Sequence, residues 1–536
     1  MTEQPLTFDQ VWKNTVSQHG ERIFLLFHQV ESANADTDAA VGGDRFWSYA
    51  EFDRIVDRVV ASLTARGVQP GTSIHLALRN SPAFVAVWLA AAKLGAWIVP
   101  VDPASSARDI ASQISRTRPK VGIYAAERGE VYREGAIEQL ANLIELTETA
   151  ADVEDGSALT SGTDAGGAGV EDSAVSTQSS RSVPSDRLAV MFTSGTTSAP
   201  KGVVLTQANY ASVSSAMSTI IDLQPEDRWL VTLPLFHANA QYYCFAPAIA
   251  VGASVALTST FSASRWCQQA HDLAATHASL FAAPIRMILA RRPADAPRLQ
   301  LRHLWFAQSL AESHFREFTD YIGCRPRQLY GMTETVAIVT ADMSEAPRHD
   351  VIGTPIPGRE VAVVDPWTFE PVPQGEPGLL ALHGVPGGDI FTGYLDDPGT
   401  TENAFRTVDR KRWFKTGDLV SVMDDGSFRF VGRIDDVIKV AGENVSLTEV
   451  EAALSGAPGV LEVAVLAQPD PIRDQVPIAY VVARDPDHAP DAGQLAAWAD
   501  SNLAPAARPR EWHLISELPR TSVGKVRRFK LRDDKP

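Results

Sequence analysis

The sequence predicts an α/β protein built from several structural units. Apolar segments of strand length alternate with segments of helical periodicity over residues 52–125, and the alternation returns over 228–307. Such alternation is typical of βαβ units and of a mostly parallel sheet. The chain has 536 residues, which at about 150 residues per domain corresponds to three or four structural units.

The elements follow in chain order. An amphipathic opening helix leads into a strand at 23–27, and later segments alternate between helix and strand at 52–63, 74–78, 83–93, 97–101, 110–114 and 121–125. After a strand at 228–234, the alternation continues at 253–257, 266–276, 280–283 and 301–307. Both stretches are expected to form parallel-type sheets covered by helices.

The remaining third of the chain has a different pattern. Glycine and proline separate short alternating segments over 352–430, which predicts a small β-rich subdomain. The last hundred residues predict a compact α+β unit, with strands at 437–440, 463–467 and 478–482 and helices at 447–454 and 491–503.

Residues at about 150–185 differ sharply from their surroundings. They are rich in Ala, Gly, Ser, Asp and Glu and contain no aromatic residue. This composition predicts a flexible acidic insertion, for which a solvated spacer is favoured over a regulatory segment.

Composition excludes several classes of protein. Hydrophobic residues make up 45% and charged residues 21%, which is typical of a globular protein. With 48 basic and 65 acidic residues the net charge is −17, so neither nucleic acid nor an anionic membrane is an expected partner. The three cysteines, Cys244, Cys267 and Cys324, have no metal-ligand or disulfide spacing. No secretory signal or membrane span is visible, so a soluble, cytoplasmic protein is expected.

The segment 193–202 reads TSGTTSAPKG and follows an apolar run at 188–192. Hydroxyl groups, glycine backbone and one lysine suit the charge of nucleotide phosphates. It is not a Walker A loop, because Gly-Lys-Ser/Thr is absent. An ordinary Ser/Thr/Gly turn is the alternative.

Further segments carry polar residues at the ends of predicted elements. They are 233–241, 330–335, 413–418, 432–436, 440–449 and the basic tail 519–528. The carboxyl ends of strands are where α/β proteins build their sites. Taken alone, the basic tail is more simply a solvated charged segment.

In this order the segments resemble the adenylate-forming superfamily of acyl-CoA synthetases, luciferases and adenylation domains, over about residues 47–528. The resemblance implies a large N-terminal domain, 1–432, of two parallel-type α/β subdomains plus the β-rich subdomain. A small mobile α+β C-terminal domain, 433–536, would turn about a hinge at Asp435. Within the superfamily, the chain looks most similar to crotonobetaine/carnitine-CoA ligase type enzymes, by segments 329–335, 384–388, 441–446 and 470–474.

The resemblance also implies roles for particular residues. The ATP-binding residues would be Thr193, Ser194, Gly195, Thr196, Thr197, Lys201, Ala307, Gln308, Ser309, Tyr330, Thr333, Asp418, Arg433 and Lys525. Glu334 would ligate Mg²⁺, and Asp418 suits the two ribose hydroxyls because a carboxylate accepts from both. The catalytic residues would be Lys525, Thr333, Glu334 and His237, although His237 could instead be structural.

The same resemblance places the acid and CoA. The pocket for the acid would be lined by Phe236, His237, Ala238, Gln241, Gln308, Gly331 and Met332. Lys439, Gly442 and Glu443 would serve thioester formation, with Gly442 letting the pantetheine arm pass close to the backbone. Three positions depart from the common pattern: the triplet 307–309, Ser198 and Gln207. These departures bear on the identity of the substrate more than on the use of ATP.

The expected function is an ATP-dependent, AMP-forming acid-CoA ligase for a small or medium carboxylic acid, with ATP, Mg²⁺ and CoA as cofactors. Segment 236–241 lacks the aspartate that would hold an α-amino group, which argues against amino-acid activation. One alternative is activation of another small nucleophile, such as nitrite for arylamine diazotisation. A catalytically inactive nucleotide-binding protein is the other alternative. The acid's identity, the acceptor and a homodimer are left open.

Overall fold

The computed structural model describes residues 5–29, 44–136, 139–161, 182–193, 200–293, 295–336, 338–520 and 526–533. The strands within these residues are β1 (Ile23–His28), β2 (Arg45–Ser48), β3 (Ser73–Ala77), β4 (Trp97–Pro100), β5 (Val121–Ala125), β6 (Leu143–Leu146), β7 (Arg187–Thr193), β8 (Lys201–Thr206), β9 (Arg228–Val231), β10 (Ser254–Thr258), β11 (His277–Phe281), β12 (His303–Ala307), β13 (Arg327–Tyr330), β14 (Thr340–Ala341), β15 (Thr354–Pro355), β16 (Glu360–Val364), β17 (Gly378–His383), β18 (Gly393–Tyr394), β19 (Phe405–Val408), β20 (Lys411–Val422), β21 (Phe428–Arg433), β22 (Val437–Val440), β23 (Glu443–Ser446), β24 (Val460–Asp470), β25 (Asp474–Ala483) and β26 (Glu511–Leu514). The α-helices are α1 (Phe8–His19), α2 (Tyr49–Ala65), α3 (Pro82–Leu94), α4 (Ala107–Thr117), α5 (Gly129–Ala136), α6 (Gln207–Ile220), α7 (Ala246–Val251), α8 (Trp266–Asp272), α9 (Ala282–Arg291), α10 (Glu312–Ile322), α11 (Pro398–Asn403), α12 (Leu447–Leu454), α13 (Ala492–Asn502) and α14 (Arg528–Asp533).

Two large sheets form the N-terminal part of the molecule. One has the order β15-β14-β13-β12-β11-β9-β10-β1-β2, and its strands from β13 to β1 are parallel. The other has the order β18-β8-β7-β4-β3-β5-β6 and is parallel from β7 to β6. Antiparallel pairs lie only toward the edges of these described strands. The predicted parallel-type α/β architecture is confirmed.

One apolar core joins both sheets. It contains residues of α1, α2, α3, α6 and α7 together with the inner faces of both sheets. Helix α3 is apolar on every side and is buried from Pro82 to Ala92, as expected for a helix between two layers. The outer faces are covered separately, by α8–α10 on the nine-stranded sheet and by α4 and α5 on the seven-stranded sheet.

Two smaller sheets complete the fold. The antiparallel β16-β17-β20-β19 sheet, with β21 beside β20, is the predicted β-rich region. The C-terminal sheet has the order β23-β22-β25-β24, with β26 parallel to β25, and packs against α12 and α13. Sequence analysis did not predict strand β23, which is a short, half-polar partner of β22. Across the described residues, no helix has both the length and the hydrophobicity to cross a lipid bilayer.

Part of the predicted acidic insertion is packed. Residues 150–161 include a 3₁₀ turn, and Val153 and Leu159 are buried in the main core. Arg66 of α2 donates hydrogen bonds to the carbonyl oxygens of Ser161 and Ala158. These contacts tie the segment to α2. Residues 162–181 lie outside the described residues.

The predicted domain boundary coincides with a change of sheet. Strand β21 ends at Arg433 and belongs to the β-rich sheet, whereas β22 opens the C-terminal sheet at Val437. The 3₁₀ turn Ile434–Asp436 between them holds the exposed Asp435. The hinge and the domain limits stay predictions.

Helix α4 and strand β3 enclose a buried polar contact that gives the fold a pH dependence. His75 is fully buried, accepts a hydrogen bond at Nδ1 from Tyr132 (2.8 Å) and donates from Nε2 to Gln113 Oε1 (3.3 Å). Burial lowers the pKa of His75 to about 4. The neutral ring satisfies both contacts, so the folded state disfavours protonation.

His75 is therefore expected to make the free energy of unfolding fall as pH drops from about 6.5 toward 4. Over that range the unfolded chain binds a proton that the folded chain excludes, with a slope of about 1.4 kcal/mol per pH unit. His75→Gln removes this titrating group. The free energy of unfolding of the variant, measured with denaturant, should therefore fall less steeply with falling pH, by about 1.4 kcal/mol per pH unit. His488→Gln is the matched control because the His488 side chain is 83% exposed. An unchanged slope in His75→Gln would contradict the assignment.

Candidate active site

The predicted phosphate loop joins β7 and β8, the two strands of a hairpin. Strands β7 and β8 pair antiparallel up to Thr193 and Lys201, which face each other across the ladder. Ser194, Gly195, Thr196 and Thr197 lie outside the described residues. Gly202 belongs to β8, where an added Cβ would lie 3.1 Å from Leu395 and Val190, so a side chain here would press on both neighbours.

Lys201, Tyr394 and Glu334 lie together beside this hairpin. The Lys201 ammonium is 5.2 Å from the centre of the Tyr394 ring, and the Tyr394 hydroxyl donates to Glu334 Oε1 (3.1 Å). Burial and the nearby Glu334 carboxylate raise the pKa of Tyr394, so its hydroxyl stays a donor. Sequence analysis missed Tyr394. The sequence signal for Tyr394 was weak, because β18 has only two residues and its position depends on its pairing with β8.

Arg116 is a second residue that sequence analysis missed. It lies near the end of α4 and donates a hydrogen bond to the carbonyl oxygen of Pro200 (2.7 Å). Its guanidinium also stacks over the Phe192 ring at 4.8 Å. The base of the hairpin thus has two cations beside it, Lys201 and Arg116, which suits a polyanion.

Asp418 is the centre of a second group of predicted ATP-binding residues. Tyr330 at the end of β13 donates to Asp418 Oδ2 (2.5 Å), and Arg433 Nε lies 3.4 Å from Oδ1. Asp418 and Arg433 are paired across β20 and β21. The backbone N–H of Asp418 donates to Thr416 Oγ1 (3.1 Å). Burial, with the Asp418 carboxylate next, raises the pKa of Tyr330, which keeps this phenol protonated.

The segment after Tyr330 turns tightly. Gly331 and Met332 are half-buried, and the 3₁₀ turn Thr333–Thr335 presents Thr333 at the surface of the turn and Glu334 in a buried position. The main-chain oxygen of Glu334 accepts a hydrogen bond from the Phe391 N–H (2.9 Å). Val336 then adopts a left-handed conformation with φ of 61°, a costly geometry for a β-branched residue. Strain of this kind is often found at functional turns.

The triplet 307–309 follows β12. Ala307 ends the strand half-buried, whereas the side chains of Gln308 and Ser309 are exposed. Gln308 has φ of 77°, in the region that favours glycine. The carbonyl oxygen of Gln308 accepts a hydrogen bond from Gln328 Nε2 (3.1 Å), which holds the triplet against β13.

The segment 233–241 is held at the carboxyl end of β9 by Asn80. The Asn80 amide donates to the carbonyl oxygens of Leu233 and Thr258 (3.1 Å each), and its oxygen accepts from Leu235 N–H (2.8 Å). The segment continues through Phe236, His237 and Ala238 into a π-helical stretch, Asn239–Phe245. The rings of Phe236 and His237 are 4.7 Å apart.

Gln241, which the sequence assigns to the acid pocket, is tied into the protein by its amide. Its side chain is fully buried, its oxygen accepts from Tyr210 (2.6 Å) and its nitrogen donates to Leu235 O (2.7 Å). These two bonds hold the pocket segment against α6, and the role of Gln241 toward the acid stays a prediction.

The predicted thioester residues lie apart from the groups described above. Lys439 is exposed on β22, Gly442 is exposed in the turn that leads to β23, and Glu443 is the exposed first residue of β23. Ala441 and Gly442 both have positive φ, 51° and 88°, and Ala441 N–H donates to Arg473 O (2.9 Å). Lys525 lies outside the described residues.

Charged contacts join the C-terminal unit to the N-terminal part. Glu462 of β24 lies 2.6 Å from Arg520 and 3.6 Å from Arg286 of α9, counted between Oε1 and the nearest guanidinium nitrogen. Arg484 donates to His314 Nε2 of α10 (2.8 Å). Burial, assisted by the neighbouring Arg286 and Arg484, lowers the pKa of His314 to about 4, so this ring stays a neutral acceptor.

Comparison with known proteins agrees with this geometry. A family described as "AMP-binding enzyme" matches residues 26–395, and its "AMP-binding enzyme C-terminal domain" matches 449–525. A crotonobetaine/carnitine-CoA ligase of Salmonella enteritidis is 28% identical over 521 residues, covering 96% of this chain and 97% of that one.

Solved structures share the fold. A structure of the anthranilate CoA ligase AuaEII in complex with anthranoyl-AMP has a TM-score of 0.84 at 22% identity, covering 98% of this chain and 97% of that chain. A benzoate CoA ligase from Burkholderia xenovorans has a TM-score of 0.81 at 21% identity, covering 98% and 100%. With its first family match alone extending over more than half of its length, this chain belongs to the AMP-binding enzyme family.

Proposed function

We propose that the chain is an AMP-forming acid-CoA ligase, which activates a carboxylic acid with ATP and transfers the acyl group to CoA. The observation that carries the proposal is the arrangement of two groups at strand ends. Lys201, Tyr394 and Glu334 lie beside the hairpin, and Asp418 with Tyr330 and Arg433 forms a carboxylate site for a sugar. The named relatives and fold neighbours are acid-CoA ligases, which supports the same reaction. They do not favour nitrite activation or an inactive protein.

In the first half-reaction a carboxylate oxygen attacks the α-phosphorus of ATP. The acyl–phosphate bond forms as the bond from the α-phosphorus to its bridging oxygen breaks, and pyrophosphate leaves. Because both reactants are anions, neutralising their charge is the main task. We assign Thr193, Lys201 and the residues 194–197 to the β- and γ-phosphates, and Thr333 to the α-phosphate. Arg116 supports the hairpin that carries them.

Glu334 is the proposed Mg²⁺ ligand. The described residues contain no group of three or more His, Cys, Asp or Glu side chains that could hold a metal by themselves. A single buried carboxylate fits Mg²⁺ that is bound mainly through phosphate oxygens. The ion would neutralise phosphate charge when it is bound, and Tyr394 would hold the carboxylate in place by its hydrogen bond.

In the second half-reaction the thiol sulfur of CoA attacks the acyl carbon, AMP leaves and the thiol proton is released. We propose that the C-terminal unit rotates about Asp435 to bring the backbone turn at Gly442 to the site. In the present arrangement this backbone turn is exposed, so another orientation of the unit is required for it to act. The contacts of Glu462 with Arg286 and of Arg484 with His314 must break during the rotation.

The direct test is release of pyrophosphate from ATP and Mg²⁺ with a panel of short, branched, aromatic and betaine-like acids, each with and without CoA. Release with one acid, with thioester formed only when CoA is present, supports the proposal. Turnover only with nitrite plus an arylamine would overturn it.

Lys525→Ala is expected to slow formation of the acyl-adenylate by about 100-fold or more, because it removes the positive charge proposed to stabilise the negative charge that develops at the α-phosphate. The measurement is ATP–pyrophosphate exchange with the best acid. Lys530→Ala is the matched control, since Lys530 is exposed on α14 a short distance along the same tail. Equal exchange rates in the two variants would contradict the role of Lys525.

Glu462→Gln is expected to slow the first half-reaction and to leave the second unaffected. The change leaves Arg286 and Arg520 without their carboxylate, and breaking a buried pair disfavours the present domain arrangement by about 3 kcal/mol or more. Pyrophosphate exchange should fall at least roughly 10-fold, which corresponds to about 1.4 kcal/mol of that cost. Thioester formation from supplied acyl-AMP should be unaffected.

The control for this experiment is Glu312→Gln, which removes an exposed glutamate of α10. An equal loss of both half-reactions in Glu462→Gln would show a general structural defect and refute the specific effect on domain arrangement.

A further inference from the structure

Asn239 has an unsatisfied carboxamide in a buried position. It opens the π-helical segment Asn239–Phe245, two residues after His237, and only 5% of its surface is exposed. Within the described chain, neither its amide nitrogen nor its carbonyl oxygen makes a hydrogen bond. Buried polar groups in folded proteins nearly always have partners, so each exception needs an explanation.

The neighbouring Gln241 shows that the segment can satisfy such a group. Gln241 lies two residues further on, is equally buried, and has both ends of its amide hydrogen-bonded to Tyr210 and Leu235. The two carboxamides have the same chemistry and differ in their partners. The lack of hydrogen bonds at Asn239 is therefore specific to its position and is not a general property of the segment.

Two more unpaired polar groups lie on the same side of the sheet. Ser279 Oγ on β11 and Trp305 Nε1 on β12 are buried without partners, and these two residues face each other in the ladder. Trp305 belongs to the core shared with the π-helical segment, whereas Ala278 and Leu280 face α8–α10. Because side chains alternate between the two faces of a sheet, Ser279 lies on the side of the π-helical segment.

The location is one where ligands bind. The segment follows the carboxyl end of β9 and packs against β9 and β11, and ligands of parallel α/β sheets bind at the carboxyl ends of strands. π-Helical turns are also frequent at functional sites. Phe236, His237 and Ala238, the three residues before Asn239, are among those assigned to the acid pocket.

We propose that Asn239 determines the specificity of the acid pocket, and that the preferred acid carries a neutral hydrogen-bonding substituent, such as a hydroxyl, remote from its carboxylate. Ser279 assists at the inner end of the pocket. This inference rests on the proposed function and names the substrate class of the same site.

The chemistry of the segment favours a neutral substituent. Residues 238–245, ANAQYYCF, contain no acidic or basic side chain that could balance a charge. A quaternary ammonium has no N–H and no lone pair, so it would leave both ends of the Asn239 amide unpaired. A hydroxyl can donate to the amide oxygen and accept from the amide nitrogen.

The test compares pairs of acids that differ by a hydroxyl in place of a methyl group. The pairs are 2-, 3- and 4-hydroxybenzoate against the methylbenzoates, and 4-hydroxybutanoate and 5-hydroxypentanoate against pentanoate and hexanoate. Crotonobetaine is included as the ammonium-bearing acid. The full-length protein is assayed by ATP–pyrophosphate exchange, and kcat and KM are measured for each acid.

For the best pair, the wild type is expected to prefer the hydroxy acid by about 100-fold or more in kcat/KM, because a site built to hydrogen-bond a hydroxyl strongly rejects the analogue that lacks it. Asn239→Leu should abolish this preference, chiefly by raising KM for the hydroxy acid, while the methyl acid is used as well as before or better. Ser279→Ala should reduce the preference by a smaller factor. Asn502→Leu, an exposed change on α13, should alter nothing.

Three results would overturn the inference: a wild-type preference for the methyl acids, a preference for crotonobetaine over every hydroxy acid, or unchanged discrimination in Asn239→Leu. Thermal melting checks that the variant is folded, and Asn239→Ala carries the same comparison if the leucine variant melts early. Failure of every acid to support exchange in the wild type would instead refute the proposed function, and with it the inference that rests on it.

Discussion

The buried carboxylate of Asp418 joins two sheets of the molecule. Tyr330 reaches it from the end of the nine-stranded sheet, Asp418 itself belongs to the β-rich sheet, and Arg433 is the last residue of that sheet before the C-terminal unit. A buried carboxylate is tolerated only when it is paired and hydrogen-bonded. This carboxylate therefore links the end of β13 to the β-rich sheet. Its proposed role is to accept from the ribose hydroxyls.

A second constraint acts at the phosphate hairpin, where the side chains of Lys201 and Glu334 are separated by that of Tyr394. Tyr394 lies between Lys201 and Glu334, with its ring against the ammonium and its hydroxyl on the carboxylate. A direct Lys–Glu ion pair would neutralise both groups before any nucleotide arrived. Under the proposed roles, the intervening phenol separates a cation for phosphate from a carboxylate for a metal ion.

Much of this arrangement could be predicted from the sequence because it depends on local patterns. The alternation of periodicities predicted the α/β fold, and the resemblance to the superfamily assigned Tyr330, Asp418 and Arg433 to one site, which the structure brings together. Tyr394, Arg116 and Asn80 could not be found this way, because their roles come from pairing with segments distant in the chain. The hydrogen bonds of Gln241 to Tyr210 and Leu235 likewise come from the tertiary fold and have no local sequence signal, and its assignment to the acid pocket stays a prediction.

The contacts between the two units suit the proposed rotation of the C-terminal unit. Glu462 has arginines from both units, and burying such a group costs nearly as much solvation as the pairing returns. Ion pairs of this kind add little to overall stability, yet they depend strongly on geometry, because a displaced partner leaves an unpaired buried charge. A surface joined by apolar packing would hold the C-terminal unit over a range of small displacements. A surface joined by the contacts of Glu462 with Arg286 and of His314 with Arg484 favours a single orientation of the C-terminal unit. Once water can solvate the charged groups, that orientation is no longer favoured. That property is what two successive half-reactions at one site require.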